Sequence, residues 1–189
     1  MSGTSPAGYD GNWLPDDQDP RFDGKPVGEL ATYRDYLRNY RLTLELKCDG
    51  LTPEQLATRA VPPSNLSLLG LVRHMAHVEH SWFQRALQGD LEEPRPYTDP
   101  EDPDVEFTGA VGTQECVDDA FDQWKRQIAR AEDWLHAQSD GSMATEVVYN
   151  SDGERTTVRD ILVHLVEEYA RHCVHADLLR ETIDGRTGQ

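Results

Sequence analysis

Apolar residues recur at steps of three and four positions in four stretches of the chain, and this spacing predicts four long amphipathic helices. The last of them is preceded by Thr157 and Asp160, a helix-capping pair, and followed by the stop signal Asp184-Gly185. The predicted helices are Val27–Cys48, Ser67–Gln88, Thr113–Gln138 and Thr157–Ile183. Four helices of this length with long second and third connections predict an all-α four-helix bundle.

The connections carry their own signals. Thr52 and Gln55 have the spacing of a capping box, and Pro53 suits the first position of a short helix. Residues 89–112 contain four prolines and many acidic side chains, which predicts a long polar loop that covers one end of the bundle. Asp152-Gly153 predicts the turn of a small hairpin before the last helix.

The N-terminal segment differs from the rest because it is rich in Gly, Pro and Asp. We expect an extended arm there, held against the bundle by Trp13, Leu14 and Phe22. The predicted division of the chain is an arm (residues 1–26), a four-helix bundle (27–185) and a tail (186–189).

Composition and charge narrow the class of function. The formal net charge of −17 repels phosphate backbones and anionic lipid surfaces, which argues against nucleic-acid and membrane partners. We see no apolar run of membrane-span length and no signal-peptide pattern at the start. Three scattered cysteines, Cys48, Cys116 and Cys173, fit a reducing compartment. We therefore expect a soluble cytoplasmic protein.

Six of the seven histidines form two clusters on separate predicted helices. They are His74, His77 and His80 on the second helix, and His164, His172 and His175 on the last. Metal sites in bundles use inward side chains of facing helices. At about 100° per residue, Glu168 and His172 share one face of the last helix, whereas His77 and His80 rotate toward solvent and leave His74 as the best inward candidate. Histidine with carboxylate suits zinc, nickel, iron or manganese, but histidines that are merely packed remain an alternative.

Two further residues require a choice between readings. Glu79 lies in the middle of the apolar face of the second helix, where a carboxylate needs a partner or must be neutral. It either orients a histidine or forms an internal salt bridge with an arginine. Cys173 points about 100° away from His172, so we expect it to be a small buried residue rather than a nucleophile.

The two histidine-bearing helices also resemble a known superfamily. SLLGLVRHMAHVEHSWF (67–83) and ILVHLVEEYARHCVHADLLRETIDG (161–185) resemble the DinB-like superfamily, in particular a subgroup of small, mostly actinobacterial proteins of unassigned function. Residues 42–74 share that subgroup's pattern, and the resemblance covers roughly residues 27–185. It implies a four-helix bundle with a metal site made by one histidine of the second helix and two ligands of the last helix.

Position by position, the resemblance places the metal ligands at His74, Glu168 and His172. Many relatives have histidine where this chain has Glu168, and a carboxylate there favours manganese, iron or zinc over nickel. His175, one turn beyond His172, is in position to be a substitute ligand or a base. Relatives are often dimers, and the tyrosine-rich first helix is a candidate interface for a homodimer.

The resemblance also implies a reaction, because characterised relatives are thiol-dependent enzymes. They join bacillithiol or mycothiol to electrophiles, or use mycothiol in an isomerisation. The implied function is transfer of such a thiol to a small electrophile, with a divalent metal cofactor and the thiol as co-substrate. His175 and Glu79 are the candidates for proton transfer. The alternatives are a non-catalytic metal- or ligand-binding stress-response protein and a purely structural bundle.

Overall fold

The computed structural model describes residues 13–15, 17–21 and 24–188, and most of this part is helical. The helices are α1 (Glu29–Cys48), α2 (Pro53–Leu56), α3 (Leu68–Glu79), α4 (Val105–Thr108), α5 (Gln114–His136) and α6 (Val158–Asp184). A π-helical segment (His80–Leu87) extends α3, a 3-10 turn spans Asp140–Ala144, and a hairpin joins β1 (Glu146–Val148) to β2 (Arg155–Thr157). The predicted all-α bundle with a small hairpin is confirmed. None of the helices within these ranges combines the length and apolarity needed to cross a membrane.

The ends of the helices follow the predicted capping signals. The Thr157 hydroxyl accepts a hydrogen bond from the backbone N–H of Asp160, and α6 ends at Gly185 with φ of 78°, which glycine adopts without strain. Thr52 and Gln55 form the predicted capping box around α2. Local sequence therefore determines where these helices begin and end.

The bundle consists of two helix pairs, because α3 packs on α5 and α1 packs on α6. Contacts between α3 and α6 join the two pairs. The core is made of fully buried apolar side chains from all four long helices, among them Leu37, Leu44, Leu71, Met75, Leu135 and Leu165. Burial of each such side chain contributes about 1.5–3 kcal/mol. Because α3 and α6 are in contact, the two histidine clusters come to the same region.

The π-helical segment affects how far Trp82 is buried after α3. A regular α-helix would place both Trp82 and Phe83 on the buried face, one heptad after Met75 and Ala76, but in the π-helix Phe83 is completely buried and Trp82 is half-buried. The wider turn closes with i→i+5 bonds such as that from Gln88 N to Phe83 O, and it inserts one residue into the helical register. Trp82 is thereby left near the surface, beside α6.

The 89–112 loop is held against α3 by specific contacts. The Arg73 guanidinium donates to the carbonyl oxygens of Val105 (3.0 Å) and Glu106 (2.8 Å), and lies 3.9 Å from the ring centre of Tyr97. Gly70 leaves room for Phe107, since a Cβ there would lie 2.8 Å from the Phe107 ring. The loop therefore packs along the side of α3.

This packing corrects the expectation that His77 and His80, in the histidine cluster of the second long helix, turn toward solvent. His80 is buried rather than turned to solvent, with Nε2 3.3 Å from the Glu93 carboxylate of the loop. His77 is half-buried, with Nδ1 2.6 Å from Oε1 of Glu106. The 89–112 loop covers the helix face that carries both residues, so that face is not exposed to solvent.

The described part of the N-terminal arm lies against the ends of α1 and α6. Trp13 is buried, with Lys47 Nζ 3.9 Å and Arg186 Cζ 3.7 Å from the centre of a Trp13 ring. Leu14 is half-buried. Cation–π contacts of this kind contribute about 0.5–2 kcal/mol each. The expected contact of Phe22 falls outside the described residues.

Candidate metal site

Three side chains with metal-ligating atoms converge where α3 faces α6. One atom each from His74, Glu168 and His172 lies within 4.8 Å of the others, and no other group of three does so in the described part of the chain. Oε2 of Glu168 is 3.4 Å from Nε2 of His172 and 3.8 Å from Nε2 of His74. Ligands about 2.1 Å from a tetrahedral ion lie about 3.4 Å apart, so the arrangement is close to the size that an ion requires.

The hydrogen bonding of His74 is consistent with a cation-binding role. Its Nε2 atom is buried and has no hydrogen-bond partner among the described residues, while its Nδ1 lies 2.6 Å from Oε2 of Glu106. A buried ring nitrogen without a partner is costly, and a cation between the three side chains would satisfy it. Two imidazoles and one carboxylate suit Zn²⁺, Mn²⁺ or Fe²⁺. The residues present therefore fit a divalent metal ion.

The electrostatics of His172 also suit a ligand. Burial lowers its pKa and the neighbouring His74 lowers it further, to about 4. The rings of His74 and His172 meet edge to face with centres 4.6 Å apart. Metal ions bind the neutral imidazole, so His172 needs no proton loss at neutral pH to become a ligand.

Each of the three side chains is backed by one further polar residue. Glu106 contacts His74, as described, and Nε2 of His164 lies 3.6 Å from Oε1 of Glu168. Nδ1 of His175 lies 3.3 Å from Nδ1 of His172. Such outer contacts orient metal ligands. His175 thus meets the ring nitrogen of His172 that is not paired with Glu168, a position suited to orienting His172 rather than to contacting a substrate.

The structure places Glu79 in a different network. Its carboxylate accepts hydrogen bonds from Nε (2.8 Å) and Nη2 (2.9 Å) of Arg41 and from the Tyr169 hydroxyl (2.6 Å), and its side chain is completely buried. The Tyr169 oxygen in turn accepts from Nε1 of Trp124. The internal salt bridge is therefore the correct alternative. Both carboxylate oxygens already accept hydrogen bonds, so Glu79 has no free oxygen that could accept a proton from a substrate.

The buried cysteines are poorly suited to nucleophilic chemistry. Burial raises the pKa of Cys48 and of Cys173 to about 12, so both thiols stay protonated at neutral pH. The Cys173 thiol lies 3.6 Å from the backbone carbonyl of Tyr40. This agrees with the prediction that Cys173 is a small buried residue.

A family model described as mycothiol-S-transferase matches residues 32–185. The chain belongs to the mycothiol-S-transferase family. The match confirms the DinB-like resemblance seen in the two histidine-bearing helices. A search of curated proteins gave no match.

Two solved structures share the fold of this mycothiol-S-transferase family member. A conserved protein from Enterococcus faecalis superposes with a TM-score of 0.63 at 14% identity, over 85% of this chain and 99% of that one. A mycothiol-dependent maleylpyruvate isomerase superposes with a TM-score of 0.56 at 15% identity, over 77% of this chain and 60% of that one. At such identities the likeness shows the fold.

A hollow of about 230 Å³ is separated from the candidate ligands of this family member by His164. It lies between the π-helical segment, the hairpin and α6. Trp82 and Tyr149 form aromatic walls with ring centres 6.3 Å apart, and the His164 ring meets Trp82 edge to face at 4.8 Å. Neither this hollow nor a larger one of about 640 Å³ between α1 and α5 is lined by a candidate ligand. His164 connects the smaller hollow to Glu168, so this hollow is the space beside the site.

Two residues of the site were not singled out from the sequence. Glu106 binds His74, and the ring of Phe107 stacks on the His74 ring with centres 5.5 Å apart. Both belong to the 89–112 loop, where acidic residues are too frequent for any one to stand out. No periodicity in the loop indicates which of them contacts α3.

Proposed function

We propose that the protein is a divalent-metal-dependent enzyme that transfers a low-molecular-weight thiol such as mycothiol to a small electrophile. The observation that carries the proposal is the convergence of His74, Glu168 and His172 around a buried, unpartnered ring nitrogen. Membership of the mycothiol-S-transferase family supplies the class of substrate. In this proposal the three side chains hold the metal.

The chain's own residues account for most of the chemical requirements. A divalent cation with three protein ligands supplies an open coordination position and the acidity that ionises a thiol. The proton that leaves the thiol needs an acceptor beside the candidate ligands. His164 borders both Oε1 of Glu168 and the hollow, so we assign the proton to its imidazole.

The bond changes then balance without a protein nucleophile. The S–H bond of the thiol breaks and its proton passes to His164. The sulfur electron pair forms the new C–S bond while the bond from that carbon to its leaving group breaks, and the leaving group departs with the electron pair as an anion such as chloride. The buried, protonated Cys48 and Cys173 take no part. The reacting sulfur belongs to the thiol substrate, which agrees with membership of the mycothiol-S-transferase family.

The hollow beside His164 is the proposed place of the electrophile. Its aromatic walls, Trp82 and Tyr149, favour a flat or apolar group, and about 230 Å³ suits a small group rather than a whole drug-sized ligand. The thiol would approach the metal from the side of this hollow. The electrophilic carbon would then lie near His164 and Glu168.

The experiment uses purified protein that is stripped with a chelator and reloaded with Zn²⁺ or Mn²⁺. Mycothiol and monochlorobimane are added, and the fluorescent conjugate is measured over time. His172→Ala is compared with His136→Ala, which removes an exposed histidine of α5. We expect metal-dependent conjugation that His172→Ala abolishes and His136→Ala retains.

Two results would contradict the proposal. Equal conjugation in the chelated and reloaded protein would separate the reaction from the metal. Metal binding without conjugation of any thiol–electrophile pair would favour the alternative, a non-catalytic metal-binding protein.

A further inference from the structure

Glu106 links two histidines of α3 although it lies outside the four long helices. Its Oε2 is 2.6 Å from Nδ1 of His74 and its Oε1 is 2.6 Å from Nδ1 of His77. A glutamate side chain is ionised at neutral pH unless its surroundings oppose the charge, and two imidazole nitrogens at hydrogen-bond distance do not oppose it. Glu106 is therefore a carboxylate, which accepts hydrogen bonds and donates none.

This contact determines which nitrogen of His74 carries the proton. Because a carboxylate can only accept, Nδ1 of His74 must be the N–H. A neutral His74 ring then has its lone pair on Nε2, the buried atom that has no partner among the described residues. That lone pair lies on the side of Glu168, whose Oε2 is 3.8 Å away. Carboxylate, histidine and metal in this order form a recurrent arrangement in metal sites.

Glu106 is fixed in place by the contacts of α4. Arg73 binds the carbonyl oxygen of Glu106 itself, and Phe107 stacks on the His74 ring at an interplanar angle of 29°. Gly70 permits this approach, because a Cβ at Gly70 would collide with Phe107 at 2.8 Å. The carboxylate is thus delivered to His74 by an ordered piece of the loop.

We propose that Glu106 is a positioning residue that holds His74 as the Nδ1–H tautomer, with Nε2 directed at the metal. It acts through His74 and does not touch the substrate. The strength of metal binding is thereby coupled to the packing of the 89–112 loop on α3. The inference about metal affinity rests on the proposed metal site, whereas the inference about the tautomer does not.

The test compares Glu106→Gln with Glu101→Gln, which removes the same charge from an exposed position of the same loop. ¹⁵N NMR of the imidazole rings reads the His74 tautomer in the metal-free protein, with His74→Ala to assign its signal. Zn²⁺ affinity is measured by competition with a chelator, and Co²⁺ absorption reads the ligand geometry. We expect Glu106→Gln to populate the other tautomer, alter the Co²⁺ spectrum and weaken Zn²⁺ binding by about 10–100-fold. Glu101→Gln should leave all three unchanged.

The outcomes separate this inference from the proposed function. A wild-type His74 that carries its proton on Nε2 would overturn the inference without any variant. Unchanged tautomer and unchanged Zn²⁺ affinity in a folded Glu106→Gln would overturn it as well. A wild-type protein with the Nδ1–H tautomer, lost in Glu106→Gln, but with no conjugation activity would support the positioning role while the proposed function fails.

Discussion

Nε2 of His74 on α3 lies 3.8 Å from Oε2 of Glu168 on α6, which joins the two histidine-bearing helices at one point. Packing of α3 against α6 is not sufficient to form the candidate site. The third side chain, His172, follows Glu168 by one helical turn, and Glu106 holds His74 from the opposite side. Local helical geometry and a long-range loop contact together create the candidate site.

Gly70→Ala should weaken metal binding although Gly70 is no ligand. The added Cβ would collide with the Phe107 ring at 2.8 Å, so α4 must move away from α3 and carry Glu106 away from His74. Overpacking of this kind costs about 1–3 kcal/mol of stability. Thermal melting and Zn²⁺ competition check the two effects, with Gly141→Ala as the control because the atom nearest to a Cβ there, Oγ of Ser139, lies at an ordinary 3.6 Å. Metal affinity equal to that of the control would count against the coupling of loop and site.

Glu79→Gln should destabilise the fold and leave metal affinity unchanged. Arg41 is buried against the Glu79 carboxylate, and removal of one charge of a buried pair costs about 3–5 kcal/mol, which is the upper limit here because Arg41 keeps its second partner, Glu132. Urea unfolding measures this loss. The exposed pair of Lys125 and Glu45 is the control, because Glu45→Gln should change stability by no more than about 1 kcal/mol. A stable Glu79→Gln protein that lost conjugation would restore the catalytic role first considered for Glu79.

Trp82→Ala should impair the use of the electrophile without affecting the metal. Trp82 forms a wall of the hollow and contacts the His164 ring, but it is not among the candidate ligands. We expect a higher KM for aromatic electrophiles and an unchanged Zn²⁺ affinity. Val163→Ala, an exposed change on α6, is the control for both measurements. An unchanged KM for every electrophile would place the substrate elsewhere.

Replacement of both buried cysteines by alanine should leave thiol transfer intact. Burial keeps Cys48 and Cys173 protonated, with pKa values raised to about 12, so neither is a nucleophile at neutral pH. Conjugation rates of Cys48→Ala and Cys173→Ala, measured alongside melting temperatures, check this. Loss of conjugation in a variant that melts like the wild type would assign the chemistry to a protein thiol.

Sequence periodicity was sufficient where the structure depends on neighbours along the chain. Helical steps and capping residues such as Thr157 predicted the long helices, and the four-residue spacing of Glu168 and His172 placed both on one face. His74 was recognised from the edge of the apolar face and from the family resemblance. These features need only local geometry.

The remainder depends on contacts between distant residues. The burial of His80 and the role of Glu106 follow from a loop without periodicity that is held by Arg73. The half-exposed position of Trp82 follows from the π-helix, which a count at a fixed angle per residue does not anticipate. Glu79 was recognised as unusual, but the choice of Arg41 as its partner required the fold.

The central claim is that His74, Glu168 and His172 hold one divalent ion, and metal content tests it most directly. Elemental analysis after reloading with Zn²⁺ and gel filtration compares the wild type with His74→Ala, Glu168→Ala, His172→Ala and the control His136→Ala. We predict about one ion per chain in the wild type and the control, and a large loss in each of the three ligand variants. Equal metal content in all five proteins, or none in the reloaded wild type, would contradict the account.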